Sequence, residues 1–218
     1  MISPAYGLAL EAQVSSIKEL ADCYGPWEGI RSNHVINASG EFSGPDGSSR
    51  SISTPDDREL LIALRAKADL VVVDARTARS ESYKLPASGA ALAIFSATGN
   101  FNDIPAFEIV EGSCYLFSPQ SPKNLKNHQH ERIDSLENPL AGVNAWAKQR
   151  GLSAVLLEAG PTLTKTAFRN GLVSHSAITI SGERLAAGSV ANRHPFDPLA
   201  KLLSVANAAG ANFSYWSH

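Results

Sequence analysis

The sequence predicts an α/β fold: a three-layer, mostly parallel central sheet with helices on both faces and an antiparallel hairpin at the C-terminal end. Three observations carry that expectation. The short, almost wholly apolar runs Asp69–Val73, Ala91–Phe95 and Ala154–Leu157 fit central strands covered on both sides. Segments with apolar residues at helical spacing alternate with them, which is the pattern of a sheet with crossover helices. Lys201–Asn207 and Ala211–Trp216, around Gly210, read as two strands about a small-residue turn.

The elements follow in order. Residues 1–13 carry little pattern. Val14, Ile17, Leu20 and Ala21 then recur at helical spacing, and Gly25-Pro26 stops that helix. Ile30–Ala38 mixes branched and polar residues and reads as a strand. Gly40–Ser53 is rich in Gly, Ser and Asp, the composition of a loop. The next helix has Thr54 as N-cap, Pro55 in its first position and Asp56 and Asp57 at the positive end of its dipole. Leu60, Leu61, Leu64 and Ala68 form its buried stripe. Phe107–Val110 and Cys114–Phe117 are weaker strand candidates, and Pro119–Asn138 reads as a polar surface loop. Leu140, Val143, Trp146 and Ala147 mark a helix stopped at Gly151. Thr162–Asn170 is a short helix ended by Gly171, and Ala177–Ile180 is a further strand. The whole, 1–218, is expected as one domain, with 1–29 as an N-terminal extension that contains a helix.

Composition narrows the function classes. The chain has 218 residues, a formal charge of -2 and 44% apolar residues, ordinary for a soluble globular protein. It has no basic run of the kind that holds nucleic acid. No apolar stretch approaches bilayer length. The first residues lack the features of a secretory signal. Cys23 and Cys114 form no CxxC and no disulfide framework. A cytoplasmic, reducing location is expected.

In a sheet of this class, ligands bind beyond the carboxyl ends of the strands. Three segments fall there. Asp74-Ala75-Arg76-Thr77-Ala78-Arg79 offers a hydroxyl, two guanidinium groups and main-chain amides to a phosphate, or is a solvated turn. Glu158-Ala159-Gly160-Pro161-Thr162-Leu163 opens a helix with a glycine that permits close approach, or is a tight strand-to-helix turn. Ser96-Ala97-Thr98-Gly99-Asn100 offers hydroxyls to a ribose or its phosphate, or is a polar turn. His128-Gln129-His130 has a spacing that could bind metal on a strand. It has no second ligand cluster, so no metal is expected. There is no GxxxxGK[ST], no GxGxxG and no Gly-x-Ser-x-Gly.

Several motifs together resemble the pyrimidine-reductase family of riboflavin biosynthesis, within the dihydrofolate-reductase-like superfamily. They are Asn33–Gly40, Gly44-Pro45-Asp46-Gly47, Leu64-Arg65-Ala66-Lys67-Ala68-Asp69, Val73–Tyr83, Leu157–Leu163, Gly171-Leu172-Val173 and Leu185–Gly188. They span residues 30–217 in the family's order. The resemblance implies a nine-strand-type sheet, NADPH as cofactor and a homodimer. It implies hydride transfer to C1' of an opened ribosylaminopyrimidine phosphate, for which the nicotinamide supplies the chemistry and the protein the positioning. Carried over residue by residue, it places Thr77, Gly160, Thr162 and Leu163 at the cofactor, where Arg76, Ser96, Thr98 and Pro161 of the same strand-tip segments join them as candidates, and it puts the positions of Asn33, Asn37, Ser39 and Glu158 at the substrate. No catalytic residue is assigned. The departures are specific. Ser39 stands for the family's aspartate, Asp74 and Arg76 for the glycines of Gly-x-Gly-Thr, Ala159 for one of a Gly-Gly pair, and Ala97 for an arginine. Ser174 and His175 replace Asp-Glu. Two other readings stay open: a paralogue without catalysis that binds a nucleotide or partner, and a reductase for a pterin-like, imine or carbonyl substrate.

Overall fold

The structure, a computed structural model, describes residues 2–108, 113–122, 129–182, 184–208 and 210–218. The chain runs β1 (Ser3–Gly7), α1 (Leu8–Glu11), α2 (Ile17–Cys23), β2 (Gly29–Ile36), α3 (Pro55–Arg65), β3 (Leu70–Asp74), α4 (Ala75–Ser80) and β4 (Ala91–Phe95). It continues through α5 (Pro105–Glu108), β5 (Cys114–Ser118), β6 (Gln129–Arg132), α6 (Pro139–Gln149), β7 (Ala154–Leu157) and α7 (Pro161–Arg169). The last elements are β8 (Val173–Ser181), α8 (Ala187–Val190), β9 (Lys201–Ala208) and β10 (Ala211–Ser217). Among the described residues, one ten-stranded sheet has the order β1-β9-β10-β8-β2-β7-β3-β4-β5-β6. From β8 to β6 every neighbouring pair is parallel. The β8–β10, β10–β9 and β9–β1 pairs are antiparallel.

Strand alternation sorts the core into layers. Leu70, Val72, Val155 and Leu157 pack against α6 and α7 through Leu140, Val143, Trp146, Leu163 and Ala167. The intervening Ala154 and Leu156 face Leu20, Leu60 and Leu64 of α2 and α3. Val71 and Val73 face Ala75 and Ala78 of α4 and Ala106 and Phe107 of α5. This is the three-layer, mostly parallel arrangement with a C-terminal hairpin that the sequence predicts.

Four local expectations are corrected. Residues 1–13 are not featureless: β1 pairs with β9, adding a tenth strand at the sheet edge. Phe107 lies in α5 rather than a strand, because Pro105 opens a helical turn there; Ile109 and Val110 lie outside the described residues. The polar segment before α6 contains β6, parallel to β5. It escapes the apolar pattern because it is an edge strand with only one neighbour. The strand expected at Ala177–Ile180 runs from Val173 to Ser181, its polar ends paired with β2 and β10. His128 also lies outside the described residues. His130 meets the hydroxyl of Ser118 at 2.9 Å.

Two polar clusters lock the hairpin end. Arg31 is fully buried between the rings of Trp27 and Tyr215. It donates to the Tyr24 and Gly25 carbonyls and to the Tyr215 hydroxyl, so it caps the end of α2. The second cluster is a directed chain. The Asp197 and Phe196 amides donate to Nδ1 of His194 at 2.9 and 3.3 Å, which leaves the His194 proton on Nε2. That proton points at Ser176 Oγ at 2.8 Å. The Ser176 hydroxyl then donates to Nε2 of His218 at 2.8 Å, and His218 Nδ1–H donates to Asp197 at 2.7 Å. The chain fastens the 191–200 loop to β8 and β10. From that loop Phe196 stacks on Phe168 and lies beside Phe42 and His34.

Candidate functional site

A cleft of about 1250 Å³ lies across the carboxyl ends of β2, β3, β4 and β7. It sits where parallel α/β sheets bind ligands. Ten of the residues singled out from sequence line it: Asn33 and Glu158, then Arg76 and Thr77, Ser96 and Thr98, and Gly160 through Leu163. The other two do not. Asn37 and Ser39 line a separate pocket of about 330 Å³ beside Arg193 and His194. Asn37 is used by its own turn: its carbonyl accepts from the Ser39 and Glu41 amides, and its amide donates to Glu41.

The floor of the cleft is a notch where the N-terminal ends of α4 and α7 meet. The sequence reading offers its main-chain amides to a phosphate. In the structure, the carboxylate of Asp74 takes them. It accepts from the Thr77 amide at 2.9 Å, the Thr77 hydroxyl at 2.8 Å and the Gly160 amide at 2.6 Å. Asp74 is thereby the N-cap of α4 and the staple between the two strand tips. Glycine is required at 160 because a Cβ would stand 2.7 Å from Thr77 Oγ1 and 3.1 Å from Asp74. Its φ of -62° asks nothing special of the backbone.

Glu158 faces the cleft but is fully engaged. Arg65 Nε donates to its two oxygens at 2.9 and 3.1 Å, Arg65 Nη2 donates at 2.5 Å, and the Tyr83 hydroxyl donates to it as well. Burial opposes the Arg65 charge and the Glu158 carboxylate outweighs it, so the guanidinium pKa is raised. This cluster is a rigid wall rather than an open hydrogen-bonding group. Ser96 closes its own turn through Asn100, with Thr98 3.5 Å away. Arg79 is spent on the Ala75, Asn100 and Asn102 carbonyls. Arg76 is exposed and has no ion pair among the described residues, which leaves it as a cation available at the cleft.

Sequence reasoning missed two lining residues. Asp57 was read as a charge complementing the helix dipole, yet it is only 6% exposed. Burial pushes its carboxyl pKa up, against a 2.6 Å hydrogen bond from Ser53 and the charge of Arg58. A signal was present: Asp57 precedes Leu60 and Leu64 by three and seven residues, which puts it on the buried stripe of α3. His34 is the second. Its Nε2 lies 2.9 Å from the Ala159 carbonyl, and burial lowers its pKa to about 4, so the ring is neutral.

The arrangement defines a class of fold first: a dihydrofolate-reductase-like α/β sheet with its cleft at the strand tips. No protein-family model matches the chain, and no curated protein matches it. Solved structures do. A pyrimidine reductase-like protein from Corynebacterium diphtheriae superimposes with a TM-score of 0.73, at 19% identity, over 93% of this chain and 98% of that one. The riboflavin biosynthesis reductase of Saccharomyces cerevisiae gives 0.66 at 12% identity, over 97% and 95%. A dihydrofolate reductase from Enterococcus faecalis, complexed with NADP(H), gives 0.51 at 10% identity, over 87% and 95%. At these identities the likeness is one of fold.

Proposed function

We propose that the cleft is the active site of a nicotinamide-dependent reductase acting on a ribosylaminopyrimidine phosphate of the 5-amino-6-(5-phosphoribosylamino)uracil type, in riboflavin biosynthesis. The observation that carries this reading is a buried, lining carboxyl, Asp57, in a dinucleotide-sized cleft of the fold used by pyrimidine reductases. NADPH, when bound, supplies the hydride. The residues present suit it in part. The cleft volume and the hydroxyls of Ser96, Thr98 and Thr162 fit a dinucleotide, whereas the notch is held by Asp74. In this reading Arg76, rather than the notch amides, answers the diphosphate charge. Asp57 anchors the pyrimidine and, with its raised pKa, holds a proton near neutrality better than an exposed carboxyl does. The closed Arg65–Glu158–Tyr83 cluster keeps the wall between them rigid. The reading includes a homodimer, which sedimentation would test. No helix among the described residues is long and apolar enough to cross a membrane.

The Asp74 carboxylate in the notch favours a second reading, a relative without catalysis that binds a different nucleotide or a partner. Two measurements separate the two. Saturable quenching of tryptophan fluorescence by NADPH is expected for the reductase and no change for its alternative. Turnover of the ribosylaminopyrimidine phosphate, followed by NADPH oxidation, is expected in the wild type. In Asp57→Asn it should fall by about a hundredfold or more with thermal stability retained. Turnover confined to pterin-like or other carbonyl substrates would replace the pyrimidine assignment.

A further inference from the structure

Two residues of β2 that line the cleft, one on each face of the sheet, carry an acceptor that has no donor. His34 Nδ1 and Asn33 Oδ1 are both buried, and neither has a hydrogen-bond partner. Each residue is 8% exposed, and both line the cleft. A buried acceptor left unmet costs about 1–3 kcal/mol, so two on adjacent residues call for an explanation.

The protonation of His34 is fixed by geometry. Ala159 O can only accept, so the ring nitrogen 2.9 Å from it, Nε2, bears the hydrogen. Thr164 Oγ1 is 3.1 Å from the same nitrogen and donates its own hydrogen to Ala159 O at 3.0 Å. Nδ1 is therefore a bare lone pair. Phe196 and Phe42 stand edge-on to the ring at 5.3 and 6.0 Å, and Nδ1 is closed to solvent. Phe42, half-buried, lines the same cleft, and recognition at Nδ1 requires it to move aside to admit a donor. Once there, the donor meets an acceptor in a water-excluded setting, where a hydrogen bond discriminates most strongly.

We propose that His34 contacts the ligand and sets its specificity, with Nδ1 accepting a hydrogen bond from an amino or ring N–H of an aminopyrimidine. The proposal rests on the reading of the cleft as a pyrimidine site, and it names the edge that is recognised. A neutral imidazole in one tautomer rejects a carbonyl or an ether at that position, because two lone pairs would then face each other.

The probes are a vicinal diaminouracil and its dimethyl isostere, which has the same outline and no amino donors. Calorimetric titration of the wild type should favour the diamino compound by about tenfold, the worth of one good hydrogen bond. In His34→Phe, which keeps an aromatic ring there, that preference should collapse towards unity. NMR of histidine-labelled wild-type protein gives a second reading that needs no variant. The His34 Nδ1 resonance should move on saturation with the diamino compound and stay still with the dimethyl one. A preference that survives in His34→Phe, or an Nδ1 signal indifferent to the diamino compound, overturns the proposal. If neither uracil binds while NADPH does, the aminopyrimidine class is wrong and the proposal falls with it. If NADPH also fails to bind, the reductase reading fails too.

Discussion

Acidifying the protein from about pH 7.5 to about pH 5 should lower its unfolding free energy by roughly 2 kcal/mol for each of two histidines that the fold keeps neutral. The two are His34, held near 4 by burial, and His194, held near 3 by burial and then by the neighbouring His218. In the unfolded chain both return to about 6.5. The sign follows. Above that value both states are neutral, and the native state has its full stability. Below it the unfolded chain binds protons that the native state refuses, so stability falls with pH until the folded pKa is passed. His175 and His218 are lowered in the same direction, burial being the first cause in each. Asp57, pushed up by burial, works the other way and gains stability in acid. Denaturant titrations at the two pH values check this. His34→Phe should remove about 2 kcal/mol of the difference. A free energy flat between the two pH values would mean that these rings are not held neutral.

Gly160→Val should cost several kcal/mol and abolish ligand binding in the cleft together. Even the first added carbon would stand 2.7 Å from Thr77 Oγ1 and 3.1 Å from the Asp74 carboxylate. Neither atom is the loose end of a long side chain: both are held in the three-hydrogen-bond notch. The strain must part α4 from α7 at the point where the cleft floor is made. Gly188→Ala is the control, since nothing lies within 4 Å of its added carbon and its residue sits in α8. There the change should be neutral or stabilising by up to about 1 kcal/mol. Thermal melts of the two variants, with NADPH quenching beside them, make the comparison. Equal melting temperatures would show that the notch tolerates expansion.

Much of the frame was legible because buried parallel strands are apolar on both faces. Leu70–Asp74, Ala91–Phe95 and Ala154–Leu157 appear in the structure within a residue of where the sequence places them. The start of α3 was legible from its cap, and Thr54 does accept from the Asp57 amide. What escaped was polar or one-sided. β6 and β1 lie at the two edges of the sheet, where one neighbour suffices and no apolar run is needed. At the site, the ten clustered residues follow from strand ends, which a sequence shows. The state of each side chain does not. Asp74 stands in sequence only as a departure from a glycine, and nothing in Asp74-Ala75-Arg76-Thr77 says that its carboxylate reaches the amide of residue 160. Asn37 and Ser39 follow β2 in sequence, but the turn at Gly40 carries them to the neighbouring pocket. His34 ends the polar run Arg31–His34 within a strand, and only the position of Ala159 decides its tautomer.

The two outer strands bear on how the molecule behaves in company. An open sheet presents unsatisfied amides at each margin, an invitation to edge-to-edge strand pairing between copies. Here one margin carries Pro4, which lacks a donor, and a break in register before Tyr6. The other is four residues long, with Glu131 and Arg132 among them. Neither offers a long, flat, greasy ribbon, so concentrated solutions of the folded protein are guarded against fibre-like growth by the same polar edges that hid those strands from view.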